Sequence, residues 1–210
     1  MLDLIIRKAK LRKKKGLVDI GIKDGKIVDI ASCIEANGLK EIDANGSLTT
    51  PPFCDPHLHL DAVLSVGDPR YNMSGTLLEG IKIWGERKPS LTKEVIKRNA
   101  IEAIKWEVAN GTLKIRTHAD VCDPRLLGVE ALLEVKEEMK ELVDLQIVAF
   151  PQDGIYAFKD GEKLMEEALR MGADVVGGIP HNELTREDGV KDIEYVFELA
   201  QKYNCLIDVH

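Results

Sequence analysis

The sequence predicts an α/β protein: a small amino-terminal β-sandwich part over residues 1–50, then the first five strands of a (β/α)8 TIM-type barrel over residues 51–210. Three observations carry this. Residues 2–50 show short alternating apolar runs broken by turn pairs. After residue 61, helix-spaced and strand-like segments alternate at intervals of about 30 residues, the pattern of βαβ units around a parallel sheet. A histidine, aspartate or glutamine stands at the end of each of the five strands, where a barrel of this kind gathers its functional groups.

Taken in order, residues 4–9 form a first strand. Val18, Ile20 and Ile22 alternate with Asp19, Gly21 and Lys23 in a second, and Asp24-Gly25 is a two-residue hairpin signal returning the chain through residues 26–30. The basic run over residues 8–15 is a solvated turn between strands, in keeping with an acidic chain. Gly38 and Asn45-Gly46 mark further turns. The barrel strands are expected at 48–53, 113–121, 142–150, 173–179 and 205–210. Residues 76–86 carry Leu77, Ile81 and Trp84 at helical spacing. Thr92 caps a helix with Ile96, Ala100, Ala103, Ile104 and Val108 on one stripe, ended by Asn110-Gly111. Further helices span 125–141, 162–171 (stopped by Gly172) and 190–203, the last burying Ile193, Val196, Phe197 and Ala200.

With 44% hydrophobic residues, 210 residues can bury a sizeable core. A net charge of −7 argues against a nucleic-acid or anionic-membrane surface. No apolar run approaches the ~20 residues of a membrane span, and no signal peptide is evident. Four cysteines without a C-x-x-C pair suit reduced thiols and a cytoplasmic location.

Cys54-Asp-Pro-His-Leu-His-Leu-Asp61 organises the functional reading. In an extended chain His57 and His59 project from one face, so both imidazoles can reach one ion. On the barrel geometry His210 points into the same mouth as a third ligand. Gln152 is either a turn residue or a group whose amide donor and acceptor suit an amide-like heterocycle, and spacing leaves both open. His118 is expected to be a hydrogen-bonded histidine behind the ligands. His181-Asn-Glu183 has the H-x-E form of base deaminases, but the P-C-x-x-C those enzymes need is absent. Cys54 is expected as a small packed side chain.

Pro51-Pro-Phe-Cys-Asp-Pro-His-Leu-His-Leu-Asp61 resembles the metal motif of the amidohydrolase superfamily. Ser74-Gly-Thr-Leu-Leu-Glu-Gly80, Trp84-Gly-Glu-Arg-Lys88, Arg116-Thr-His-Ala-Asp-Val121, Asp144-Leu-Gln-Ile-Val-Ala-Phe-Pro-Gln152, Gly172-Ala-Asp-Val-Val-Gly177, Ile179-Pro-His181, Ala200-Gln-Lys-Tyr203 and Leu206-Ile-Asp-Val-His210 resemble its bacterial cytosine deaminase branch. The resemblance implies a barrel with a small β domain and one divalent metal ion, Fe(II) or Zn(II). His57, His59 and His210 would be metal ligands, Gln152 the contact to the pyrimidine edge and Leu77 an apolar pocket wall. It implies hydrolytic deamination of cytosine to uracil and ammonia by metal-activated water, within pyrimidine salvage. Isoguanine, methylcytosine or an amino-triazine are alternative substrates. The implied partners are a small nucleobase substrate and, for the complete enzyme, further copies in a homo-oligomer.

In this family the catalytic glutamate follows the third histidine by three residues, and a histidine and a metal-binding aspartate follow on later strands. All of these would lie past His210, so the catalytic residue is unknown within these 210. The sequence is therefore expected to be the amino-terminal portion of an enzyme roughly twice as long. The alternative is a truncated or split fragment that needs a partner chain. Alone it should be inactive and poorly stable, since five strands leave an open apolar edge.

Overall fold

The computed structural model describes residues 1–210, which separate into two compact units, Met1–Pro51 and Pro52–His210. The first holds β1 (Leu2–Lys10), β2 (Leu17–Lys23), β3 (Lys26–Ala31) and β4 (Gly38–Asp43) in one mixed sheet of order β3-β2-β1-β4. Asp24 and Gly25 both take positive φ, 50° and 69°, the turn geometry that matches strand twist. Ala9, Val18 and Ile20 form the core of one face, while Ile5 and Ile34 are buried elsewhere in the unit. Arg7 ties three strands together, donating to Asp19 at 2.8 Å and to both Glu41 oxygens at 2.9 Å.

All four strands join a single sheet, one layer of the expected sandwich part. One expectation changes here. Strand β4 falls where only turns were read. It pairs in parallel with β1 but is mostly exposed, so it carries no apolar alternation to read.

The second unit is a five-stranded parallel sheet in sequence order: β5 (Phe53–Leu58), β6 (Thr112–Asp120), β7 (Asp144–Phe150), β8 (Val175–Gly178) and β9 (Leu206–Val209). Between them run α1 (Leu77–Arg87), α2 (Lys93–Ala109), α3 (Leu127–Met139), α4 (Gly161–Met171) and α5 (Arg186–Tyr203). This is the expected half of a (β/α)8 barrel. Thr92 caps α2 through Val95 N–H, and Gly172, at φ 122°, ends α4. Leu145, Ile147 and Ala149 of β7 pack with Ile104, Leu132, Met165 and Val196 under the helices, while Val148 and Phe150 pack with Val175 and Ile179. Burial on both faces gives a parallel strand its continuous apolar run.

The first barrel strand is later than expected: it begins at Phe53, not before it. Pro51 and Pro52 lack the N–H a ladder needs, so pairing starts where Phe53 N donates to Gly111 O at 2.9 Å. Helix α5 starts near Thr185, whose hydroxyl accepts from Asp188 N. The charged first turn, Arg186-Glu-Asp188, hides this start from a search for apolar periodicity. Phe197 is 52% exposed, and Leu199 is buried instead. Cys54 is exposed rather than packed. The sheet ends on two edge strands, β5 and β9, each paired on one side only, with Phe53 and Leu206 well exposed. No helix is long and apolar enough to cross a membrane.

Asp192 on α5 is fully buried and neither carboxyl oxygen has a hydrogen-bond donor. Burial first, then the neighbouring Glu183 carboxylate, pushes its pKa up to about 7. An unfolded aspartate titrates near 3.8. Between those values the folded chain holds a proton that the unfolded chain has lost, so stability is greatest below the window and falls as pH rises through it. Asp192→Asn should flatten the fall in urea-unfolding free energy between about pH 4 and 7. An unchanged slope would assign that pH dependence to other groups.

Candidate metal centre

The site is built at the carboxyl ends of β5, β6, β7 and β9. Strand β5 pairs Asp55 with Ile115 and Leu58 with Thr117, so one extra residue is accommodated around Pro56 and His57. Such a bulge re-aims side chains at a strand end, and a proline, having no N–H, suits it. His57 N donates to Asp55 Oδ1 at 3.0 Å, and Leu60 N to Thr117 Oγ1 at 2.9 Å. These contacts fix the backbone on both sides of His59.

The imidazoles of His57, His59, His118 and His210 converge, with one ring nitrogen of each inside a 4.8 Å cluster. His57 Nε2 lies 3.4 Å from His59 Nε2 and 2.9 Å from His210 Nε2. Phe150 lies fully buried beneath them, edge-on to His59 and His118 with ring centroids 5.6 and 5.4 Å apart. Burial, then the neighbouring imidazoles, pushes His59 down to about 3 and His210 to about 4. Both rings are therefore neutral at physiological pH, the form that binds a metal.

This donor set fits a divalent ion. Each neutral imidazole offers one lone pair, and three Nε2 atoms facing one another cannot all be satisfied by shared protons. A cation bound by imidazole nitrogens at about 2.0–2.1 Å would hold them roughly 3 Å apart. His210 Nδ1 is buried with no hydrogen-bond partner, and Asp208 Oδ1 lies 3.9 Å from it. A ligating histidine commonly turns its second nitrogen to a carboxylate in this way.

Asp208 also accepts from Arg116 Nη1 at 2.7 Å and lies 3.3 Å from His118 Nε2. Burial opposes ionisation of Asp208, but the Arg116 and His118 hydrogen bonds outweigh it and hold the carboxyl below its ordinary range. His118 Nδ1 lies 3.4 Å from Leu58 O, so both ring nitrogens have oxygen neighbours within the chain.

A cleft of about 210 Å3 opens beside His59, lined by Leu77, Ile81 and Trp84 of α1 together with Asp61, Asp120 and Gln152. The structure thus brings Leu77 and Gln152 to one cleft and His57, His59 and His210 to one point. His181 is exposed and lines a different cleft with Leu184, Val190 and Ile193, outside the histidine cluster.

Sequence reasoning left four contributors without an assigned role. Asp208 carries a legible signal, since Asp208-x-His210 places both on one strand face. Phe150 is hidden in an apolar run. Asp61 accepts from Asp120 N at 2.8 Å with Oδ2, while its buried Oδ1 has no partner and burial pushes its pKa up to about 7. Lys88, just past α1, reaches Asp120 at 3.0 Å, Asp153 at 2.7 Å and Cys122 O at 3.1 Å. Burial alone would lower the Lys88 pKa, but the two carboxylates reverse this and hold it above its ordinary value. Trp84 Nε1 donates to the same Asp120 oxygen at 2.7 Å, which ties α1 to the end of β6.

Residues 40–210 match the model of the amidohydrolase family. The chain is 40% identical over 218 aligned positions to N-isopropylammelide isopropyl amidohydrolase of Pseudomonas sp. (strain ADP), covering 99% of this chain and 53% of that protein. It superposes on 5-methylcytosine deaminase from Klebsiella pneumoniae liganded with 5-fluorocytosine with a TM-score of 0.93 at 47% identity, covering 98% of this chain and 50% of that one. N-isopropylammelide isopropylaminohydrolase from Burkholderia multivorans gives 0.83 at 27% identity, covering 100% and 53%. The chain spans about half the length of the relatives it matches.

Proposed function

Because the chain belongs to the amidohydrolase family, we propose that it carries the first part of a metal-dependent aminohydrolase that deaminates cytosine or a close C5-substituted relative. The observation that carries this reading is the meeting of His57, His59 and His210 Nε2 beside the cleft holding Gln152 and Leu77. These three histidines hold one divalent ion, Zn(II) or Fe(II), since imidazole suits both. When bound, the ion supplies Lewis acidity, which brings the pKa of water toward neutrality.

The residues of this chain do the rest of the positioning. Gln152 offers an acceptor and a donor to the ring amide of a pyrimidine, and Leu77 and Ile81 wall the cleft with apolar surface. Phe150 keeps water from beneath the imidazoles. The Asp208 carboxylate orients His118 and faces His210 Nδ1. The carboxylate that shuttles the proton to the leaving ammonia is assigned to the remainder of the polypeptide or to a partner chain. We further propose that the complete enzyme works in the cytoplasm, in pyrimidine salvage, as a homo-oligomer; the net charge of −7 speaks against nucleic-acid and anionic-membrane partners.

A second reading keeps the chemistry and changes the substrate to an N-alkylated amino-triazine, favoured by the 40% identity to the Pseudomonas protein. One assay separates them. The complete polypeptide, loaded with Zn(II) or Fe(II), should bind one ion per chain by elemental analysis. It should release ammonia from cytosine or 5-methylcytosine faster than amine from N-isopropylammelide. The reverse order selects the triazine reading. A protein that binds no divalent ion and turns over none of the three overturns both.

A further inference from the structure

We propose that Glu183 is a positioning residue for Gln152, locking the loop after β7 so that the Gln152 amide meets a flat, amide-edged heterocycle in one pose. The inference rests on the substrate role given above to Gln152. Glu183 belongs to the His-x-Glu segment that has no place in the metal cluster. It follows the short 3-10 turn Pro180–Asn182 at the end of β8.

Its carboxylate accepts three successive backbone N–H groups of the facing loop: Ile155 at 2.5 Å and Tyr156 at 3.1 Å on Oε1, and Ala157 at 2.9 Å on Oε2. Charge-assisted bonds of this kind are stronger and shorter than neutral ones, and consecutive amides make a ready anion cradle. Gly154 makes the approach possible. Its φ is +93°, and a Cβ there would lie 3.0 Å from Glu183 Oε1. From the same segment Asn182 Nδ2 donates to Gln152 O at 2.9 Å. Within the loop, Gln152 N donates to Phe150 O at 3.1 Å and Gly154 N to Pro151 O at 2.8 Å. Lys88 holds Asp153.

Every residue from Gln152 to Ala157 is thereby fixed through its backbone or side chain. Behind Glu183, the buried carboxyl of Asp192 has no hydrogen-bond partner of its own and leaves the Glu183 oxygens to the loop amides. A loop anchor with no bearing on substrate would show these same contacts, so the test must read coupling to Gln152. Effective catalysis and binding are sensitive to sub-ångström placement of such groups.

The experiment is a double-mutant cycle in the complete enzyme, with metal content and thermal midpoint recorded for each variant. Glu183→Gln should raise KM for the aminopyrimidine about 10-fold or more while kcat changes less. In a Gln152→Ala background the same change should move KM by less than about 2-fold. If Gln152→Ala raises KM but Glu183→Gln is neutral, or its effect simply adds, positioning is refuted while the deaminase reading stands. If Gln152→Ala leaves KM unmoved, the substrate role of Gln152 fails and this inference fails with it.

Should Glu183→Gln fail to fold, Glu183→Asp takes its place in the same cycle with Gln152→Ala, and hydrogen exchange on the unmutated enzyme checks that the clamp forms. The Ile155, Tyr156 and Ala157 amides should exchange about 10^2-fold more slowly than free loop amides. Exchange at the free-loop rate shows that the clamp does not form and overturns the inference.

Discussion

His57→Ala in the complete enzyme is expected to abolish metal retention and to lower kcat/KM by about 10^3-fold or more, because water activation at neutral pH depends on the ion. His57 is the hub of the cluster: its Nε2 lies 2.9 Å from that of His210 and 3.4 Å from that of His59. Removing it leaves His59 and His210 with only His118 between them, whose ring nitrogens already face Leu58 O and Asp208. The fold should survive, since His57 is exposed and makes no contribution to either buried cluster under or within the sheet. Elemental analysis and a thermal melt together check this. A variant that keeps a full complement of metal and near-normal turnover would remove His57 from the ligand set.

Lys88→Met is expected to destabilise the chain by about 3–5 kcal/mol, as a buried carboxylate loses its counter-ion. Asp120 is nearly fully buried, and Lys88 is its only cationic partner. Trp84 Nε1 and Cys122 N would still donate to it, so the loss falls on the charge more than on hydrogen bonding. Burial already pushes the Asp120 pKa up, opposed chiefly by Lys88. Adding Asp120→Asn should recover part of the loss, because a neutral amide needs no counter-ion. Urea unfolding of wild type, single and double variants gives the comparison. A Lys88→Met cost below about 1 kcal/mol would mean that this pair behaves like an exposed surface bridge.

The barrel strands and their helices were legible because each repeats a simple signal. Asp144–Phe150 is a continuous apolar run, and α2 has a capping threonine, a five-residue stripe and a closing Asn-Gly. Strand β4 and the start of α5 were not legible, for a common reason. One is exposed along most of its length and the other opens with charged residues, so neither shows apolar periodicity. Phe197 has the spacing of a buried residue and is exposed nonetheless. On a helix covering one face of a sheet, a position at the rim of the stripe is buried only if a neighbour reaches it.

For the site, residue order alone tells which side chains stand at the strand ends, because a strand's polarity and its terminal residues are local properties. The pair His57 and His59 and the terminal His210 were readable in this way, whereas spacing left Gln152 open and Leu77 entered only through the family resemblance. How these groups meet is set by the packing of strand against strand. The bulge around Pro56 sets the aim of His57, and parallel pairing of β8 with β9 delivers His210 to within 2.9 Å of it, 153 positions away in the chain. Lys88 with Asp120 and Asp153, and Glu183 with the three amides of residues 155–157, are likewise contacts between elements that no spacing rule connects. Ligand type is written in residue identity, but distance and desolvation, which turn a histidine into a ligand and a glutamate into a clamp, come into being when the strands pack side by side.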